Sequence, residues 1–373
     1  MRILIAPDKF KGSLTAVEAA AAIAEGALRV YPDAVTTQFP VADGGEGTLE
    51  AAVAAGYEER INAVVGPILA PIGAAWAFRK DDAGSTAVIE TAQASGLAHM
   101  EPTPENSLRA HSYGCGQLIA AALDAGATEI VLGVGGSAMT DAGSGALRAL
   151  GLKPLDAAGN VVPLGGGSLA DVVSLDISEL DPRLSAVKFR IACDVQSPLY
   201  GTTGAAHVFG RQKGADDDAV EKLDAGLRNW ASLLRELTGR DVNVPGAGAA
   251  GGFPASFLAF TQATLEGGFA LVAGLTGLAE RLADADLVIT GEGSMDSQSL
   301  TGKAPIALAE AARERGIPVV AVAGRILVTP EELAEHGVVA AAQLLDVAPS
   351  TQEAISDAGK YLTWATRQVL EGA

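Results

Sequence analysis

Residues 287–303 read LVITGEGSMDSQSLTGK. The apolar run Leu287, Val288, Ile289 predicts a buried strand, and beyond Thr290 the chain turns at once to glycines, carboxylates, hydroxyls and a lysine. An α/β protein builds a site this way, because crossover helices cover both faces of a parallel sheet and leave its carboxyl edge open to a ligand. In this loop Glu292 and Asp296 have the chemistry to hold a metal ion or accept a proton, and Gly302-Lys303, where the next helix begins, to meet an anion. A solvated turn has the same composition, so the weight falls on whether other strands end alike.

Several do. Residues 2–6 (RILIA) predict a short buried strand, followed by Pro7-Asp8-Lys9-Phe10-Lys11-Gly12-Ser13 and a helix over 15–30. That helix has Val17, Ala20, Ala21, Ala24 and Leu28 at helical spacing, with Ser13 or Thr15 as N-cap. A second strand over 35–41 runs into Asp43-Gly44-Gly45-Glu46-Gly47 and a helix over 49–55. A strand over 129–132 leads into GVGGSAMTDAG, residues 133–143, ahead of a helix over 144–150, and a strand over 189–192 ends at Cys193-Asp194.

Downstream of the opening stretch, helices over 304–315, 330–336 and 351–370 alternate with strands over 318–322 and 338–345. With residues 3–6 and 35–39 as partner strands, this alternation predicts a doubly wound parallel sheet. From 57 to 96 the pattern changes to short β-like runs (61–65, 74–78, 87–90) between Gly and Pro turns, which marks the entry into an inserted domain of mixed strands. Helices follow over 107–125 and over 219–237, the latter with Leu223, Leu227, Trp230, Leu234 and Leu237 on one face, and a mostly apolar helical region reaches 283. The expected architecture is α/β with two domains: residues 1–57 plus 284–373 as a flavodoxin-like doubly wound domain, and 58–283 as an inserted α/β domain with mixed strands.

At 373 residues the chain exceeds what one hydrophobic core usually serves, which agrees with two domains. An apolar share of 49% with 45 glycines suits close helix–sheet packing rather than disorder. No run of about eighteen apolar residues is free of charges and turn formers, and a strand opens the chain, so neither a membrane span nor a signal peptide is expected. Cys115 and Cys193 are too few for a disulfide framework, which points to the cytoplasm. A net charge of −19 repels a phosphate backbone, so nucleic acid is not an expected partner. An anionic ligand on such a surface needs local positive field, which draws attention to Lys9, Lys11, Lys213 and Lys303. The four histidines show no zinc-ligand spacing.

Gly133 to Ala138 matches G-x-G-x-x-A after a strand and before a helix, formally a dinucleotide fingerprint, but its small hydroxyls suit phosphate cradling by successive N–H groups equally well. A second match over 246–251 follows Pro245 and no convincing strand, so it reads as a flexible or tightly packed loop. No G-x-S-x-G elbow is present, and Gly302-Lys303 runs into Ala304 without the earlier glycine of a P-loop. An anion site with metal-binding carboxylates remains. Phosphoryl transfer fits it, since that chemistry asks mainly for positioning, Mg²⁺ held through few carboxylates, and cations.

The segments IAPDKFKGSLTA, VADGGEGTLEA, ETAQASGLA, GVGGSAMTDAGSGAL, ACDVQSPLYG, FGRQKGA, GAGAAGG and DLVITGEGSMDSQSLTGKAP, in this order over nearly the whole chain, resemble the bacterial glycerate kinase type 1 family. The likeness departs at Arg211, Gln196-Ser197, Met139-Thr140 and His111-Ser112. It implies an ATP- and Mg²⁺-dependent kinase that phosphorylates D-glycerate to 2-phosphoglycerate, with 3-phosphoglycerate the other option. It also implies an active-site cleft between two α/β domains, a cytoplasmic location, and a monomer or homodimer. On that resemblance Asp194, with Asp8 and Lys9, is the expected catalytic set, and Asp194 the general base. Lys11, Ser13, Asp43, Gly44 and Glu46 are expected at the substrate, and Gly135, Gly136, Ser137, Lys213, Gly291, Gly293 and Lys303 at ATP. Glu292 and Asp296 are expected at the metal. A nicotinamide-dependent oxidoreductase of small hydroxy acids and a non-catalytic small-anion binder are the alternatives.

Overall fold

The computed structural model describes residues 1–82 and 84–372. In chain order the strands are β1 Arg2–Ile5, β2 Val35–Gln38, β3 Glu58–Val65, β4 Pro71–Asp81, β5 Gly84–Glu90, β6 Glu129–Gly133, β7 Lys153–Leu155, β8 Ser174–Asp176, β9 Lys188–Ala192 and β10 Thr264–Glu266. They continue with β11 Leu287–Thr290, β12 Ser294–Met295, β13 Val319–Ala323, β14 Arg325–Ile326 and β15 Val338–Gln343. Two compact units form: residues 1–43, 50–56 and 269–373, and residues 44–49 and 57–268.

The first unit is built on a five-stranded sheet in the order β15-β13-β11-β1-β2, every neighbouring pair parallel. Taken in chain order its strands run 2-1-3-4-5, the doubly wound arrangement, with the winding reversing between β1 and β11. Alternate residues along β1, β11 and β13 feed two cores. Ile3, Ile5, Ile289, Val320 and Val322 pack with the helices Ala16–Val30 and Ala358–Gly372. Leu4, Ala6, Val288, Val319, Ala321 and Ala323 pack with the helices Leu278–Ala283, Ala304–Arg313 and Pro330–Glu335. Burial on both faces is why these strands read as continuous apolar runs.

Details depart from expectation for physical reasons. The inward face of Ala16–Val30 is Ala16, Ala19, Ala20, Ile23, Ala24 and Ala27, while Val17 and Leu28 are exposed. Small residues win the inward face because the partner helix comes very close: a Cβ on Gly26 would lie 2.6 Å from the Thr363 carbonyl. Thr15 is the N-cap, in a reciprocal capping box with Glu18. The expected 351–370 helix is two, Thr351–Ser356 and Ala358–Gly372. Residues 269–283 belong with the first unit rather than the inserted one, since Leu278 and Leu282 are buried in the core of Leu4 and Val288.

The second unit holds a six-stranded sheet in the order β10-β9-β6-β5-β4-β3. Pairs among β10, β9, β6 and β5 are parallel, and β5, β4 and β3 pair antiparallel. β10 lies inside the stretch expected to be continuously helical, its three residues too few to show a period. The expected 107–125 helix breaks into Pro104–Arg109 and Tyr113–Asp124, because the His111 N–H donates to the Pro67 carbonyl and the Ser112 N–H and hydroxyl turn to Asp141. In Asp217–Thr238 the residues Leu223, Leu227, Trp230 and Leu234 are buried as expected and Leu237 is exposed. The 246–252 glycine loop is tightly packed: a Cβ on Gly251 would sit 2.0 Å from the Met139 carbonyl.

Candidate active site

In the first unit the carboxyl ends of β1 and β11 are adjacent where the winding reverses, the place where open α/β sheets bind ligands. The Asp8 N–H donates to the Gly291 carbonyl at 2.8 Å, which continues the β1–β11 ladder past the strands. A Cβ on Gly291 would lie 1.9 Å from the Val322 carbonyl, so only glycine lets the chain leave β11 there. The next residue, Glu292, is buried, and its Oε1 is without a hydrogen-bond partner. Gly324 and Arg325 donate their N–H groups to the carbonyls of Glu292 and Gly293, and the short β12–β14 ladder then holds the turn. Gly293 lies over the backbone of Phe10 and Lys11.

Burial, reinforced by the neighbouring Asp43 charge, pushes the Asp8 carboxyl up to about 7, with Glu292 adding to the rise and Lys9 opposing it. Burial likewise raises Glu292, with Asp296 and Asp43 contributing and Ser299 and Lys303 opposing. Four expected acids, Asp8, Asp43, Glu292 and Asp296, thus share one electrostatic neighbourhood. Asp296 Oδ1 accepts from the N–H groups of Gln298 and Ser299, and half-buried Lys303 is the N-cap of Ala304–Arg313. In the first loop Lys9 is half-buried, Lys11 exposed, and the Ser13 hydroxyl donates to the Phe10 carbonyl.

The structure fits Mg²⁺ of one kind only. Among the described residues no three His, Cys, Asp or Glu side chains converge to hold a metal by themselves. A partnerless buried carboxylate oxygen among raised acids suits an ion that keeps water and phosphate oxygens and takes one or two protein carboxylates.

In the second unit residues 44–49 lie across the carboxyl ends of the parallel strands. A Cβ on Gly44 would meet Ala192 Cβ at 2.4 Å, one on Gly135 would meet Gly45 Cα at 2.6 Å, and one on Gly136 would meet Glu46 Oε1 at 2.5 Å. Here the glycines serve the contact of two loops, which explains a fingerprint-like spacing without a dinucleotide. Lys213 is buried, and its Nζ donates to Ser137 Oγ and the Met139 carbonyl. Asp194, two residues past the end of β9, is exposed, and its Oδ1 accepts from the Gly268 N–H at 2.8 Å.

Two further carboxylates organise the second unit, Asp141 and Glu90. Asp141 is fully buried and accepts four hydrogen bonds, from Ser112 N–H and Oγ and from the N–H groups of Gly143 and Gly145. Its signal was the glycines two and four positions on, the mark of an aspartate that bonds its own turn. Glu90 accepts from the Leu49 N–H and so ties β5 to the 44–49 segment, a long-range bond with no local trace.

A model of the glycerate kinase family matches residues 3–372. The chain belongs to the glycerate kinase family. This kinase is 43% identical to glycerate 2-kinase of Escherichia coli K12, over 99% of this chain and 97% of that one. It is also 43% identical to glycerate kinase of Bacillus subtilis strain 168, with the same shares covered. A crystal structure of a protein assigned as glycerate kinase 2 from Salmonella typhimurium LT2 superposes with a TM-score of 0.85 at 41% identity, covering 99% of this chain and 96% of that one. The kinase has no helix, among the described residues, long and apolar enough to cross a membrane.

Proposed function

We propose that this kinase transfers the γ-phosphoryl group of ATP to the 2-hydroxyl of D-glycerate, giving 2-phosphoglycerate. The observation that carries the chemistry is the pair Asp8 and Glu292 at the β1–β11 switch point, both with carboxyls raised by burial. The 2-hydroxyl rests on likeness to a relative named a 2-kinase.

Glu292 and Asp296 hold Mg²⁺, which supplies charge neutralisation for the transferring phosphoryl group. Asp8 accepts the proton of the attacking hydroxyl. With a carboxyl near 7 it is more basic than an ordinary aspartate and still ionises at working pH, which is what general-base catalysis requires. Asp194 is the second candidate for that proton, favoured by its place in the loop just beyond the carboxyl end of β9. Lys9, Lys11 and Ser13 meet the substrate carboxylate or a phosphate, with Asp43, Gly44 and Glu46 at the substrate hydroxyls. Ser137 and Lys213, with Gly135, Gly136, Gly291, Gly293 and Lys303, serve the nucleotide phosphates, and the protein works in the cytoplasm as a monomer or homodimer.

The test is ADP release with Mg²⁺ and a panel of small hydroxy acids, D-glycerate among them. Turnover with D-glycerate above the other acids is expected; ADP release that ignores the acid supplied would sink the assignment.

A further inference from the structure

Lys213 is 2% exposed and sits on the turn Arg211–Lys213. Its Nζ donates to Ser137 Oγ at 3.1 Å and to the Met139 carbonyl at 2.7 Å. The backbone of the same segment is already held from another side, by Leu97 N–H on the Gly136 carbonyl at 2.9 Å and Ala138 N–H on the Ser95 carbonyl at 2.8 Å. The amine is therefore not needed to keep the loop in place, and a buried amine costs more than an apolar filler.

An ammonium group has three donors and no acceptor, so Ser137 Oγ must accept from it, and the single hydrogen of that hydroxyl is left for another acceptor. On the neighbouring residues Gly135 is half-buried and Gly136 exposed, so the segment has an open side.

We propose that Lys213 is a positioning residue: by donating to Ser137 Oγ it directs the Ser137 hydroxyl hydrogen to an anionic oxygen of the bound substrate. The inference rests on the reading that the 133–141 loop holds an anionic part of a substrate. The anionic oxygen belongs to an ATP phosphate or to the glycerate carboxylate, two sources with one chemistry.

Loss of the Lys213 proton reverses the polarity, because a neutral amine has a lone pair that accepts the Ser137 O–H and turns it inward. Burial draws Lys213 down to about 7, and the charged group facing it is Asp141, with His111 and Arg148 beside that carboxylate. Arg211, on the same turn, pairs with Asp217.

The test measures KM for ATP and for D-glycerate between about pH 6 and pH 9 in wild type, S137A, K213M and the double variant, with melting curves for each. KM for one substrate should rise about 10-fold or more in either single variant, and the substrate affected names the source of the oxygen. The double variant should be no worse than the singles, and the wild-type rise of that KM above neutral pH should vanish in S137A. Additive losses, or a rise in S137A without one in K213M, overturn the role of Lys213 and leave the loop as a binding site. Wild-type KM values for both substrates in S137A overturn the loop reading itself. Should K213M fail to fold, the pH dependence in S137A decides alone.

Discussion

The backbone N–H of Asp8 donates to the carbonyl of Gly291, and this one bond aligns the residues that follow two parallel strands 284 positions apart in register. It places Asp8 beside Glu292, whose charge adds to the rise of the Asp8 carboxyl, while burial raises both. Like charges concentrated at a sheet edge weaken the fold, so their presence calls for a cation or proton to be handled there.

Asp8→Asn should lower kcat by about 100-fold to 10,000-fold and stabilise the protein. With the folded carboxyl at about 7 and the unfolded one near 3.8, the folded state binds the extra proton between those values. Stability from this group is therefore full below the unfolded value and lost as pH rises through about 7. The asparagine variant should melt higher than wild type at pH 8, by the equivalent of about 1 kcal/mol or more, with little advantage at pH 4. Melting curves at the two pH values check the sign.

Glu292→Gln should raise the Mg²⁺ concentration for half-maximal activity by roughly 10-fold or more, because the amide keeps the shape and loses the charge. Activity titrated against Mg²⁺ at saturating ATP measures it. An unchanged midpoint assigns the metal elsewhere.

Gly136→Ala should cost activity and about 1 kcal/mol of stability, since its φ is +67° and a Cβ would displace Glu46 Oε1. Gly126→Ala is the control: φ is +85° with nothing within 4 Å of a Cβ, so it should show the stability cost without the kinetic one. Urea midpoints and kcat/KM on both variants separate strain from displacement.

Asp141→Asn should destabilise by about 2–4 kcal/mol, because its amide group turns two donors toward a site where four donors already converge. Denaturant midpoints at neutral pH report it.

The doubly wound sheet was legible because the alternation after Leu287 is regular and strands buried on both faces leave long apolar runs. The candidate acids were legible because glycines bracket them. What escaped depends on partners distant in sequence. The inward face of Ala16–Val30 is set by how near Thr363 comes to Gly26, and the break before Ser112 by Asp141, 29 positions on. That Lys213 is buried rather than exposed follows from Ser137 and Met139 lying over it, which its own turn does not announce.

The most direct measurement is a ³¹P spectrum of D-glycerate with Mg²⁺ and ATP, taken with wild type and with folded Asp8→Asn side by side. The account predicts a 2-phosphoglycerate resonance growing with wild type as the γ-phosphate signal falls, and almost none with the variant. A wild-type spectrum without that phosphoester, or a variant that forms it at the wild-type rate, would contradict it.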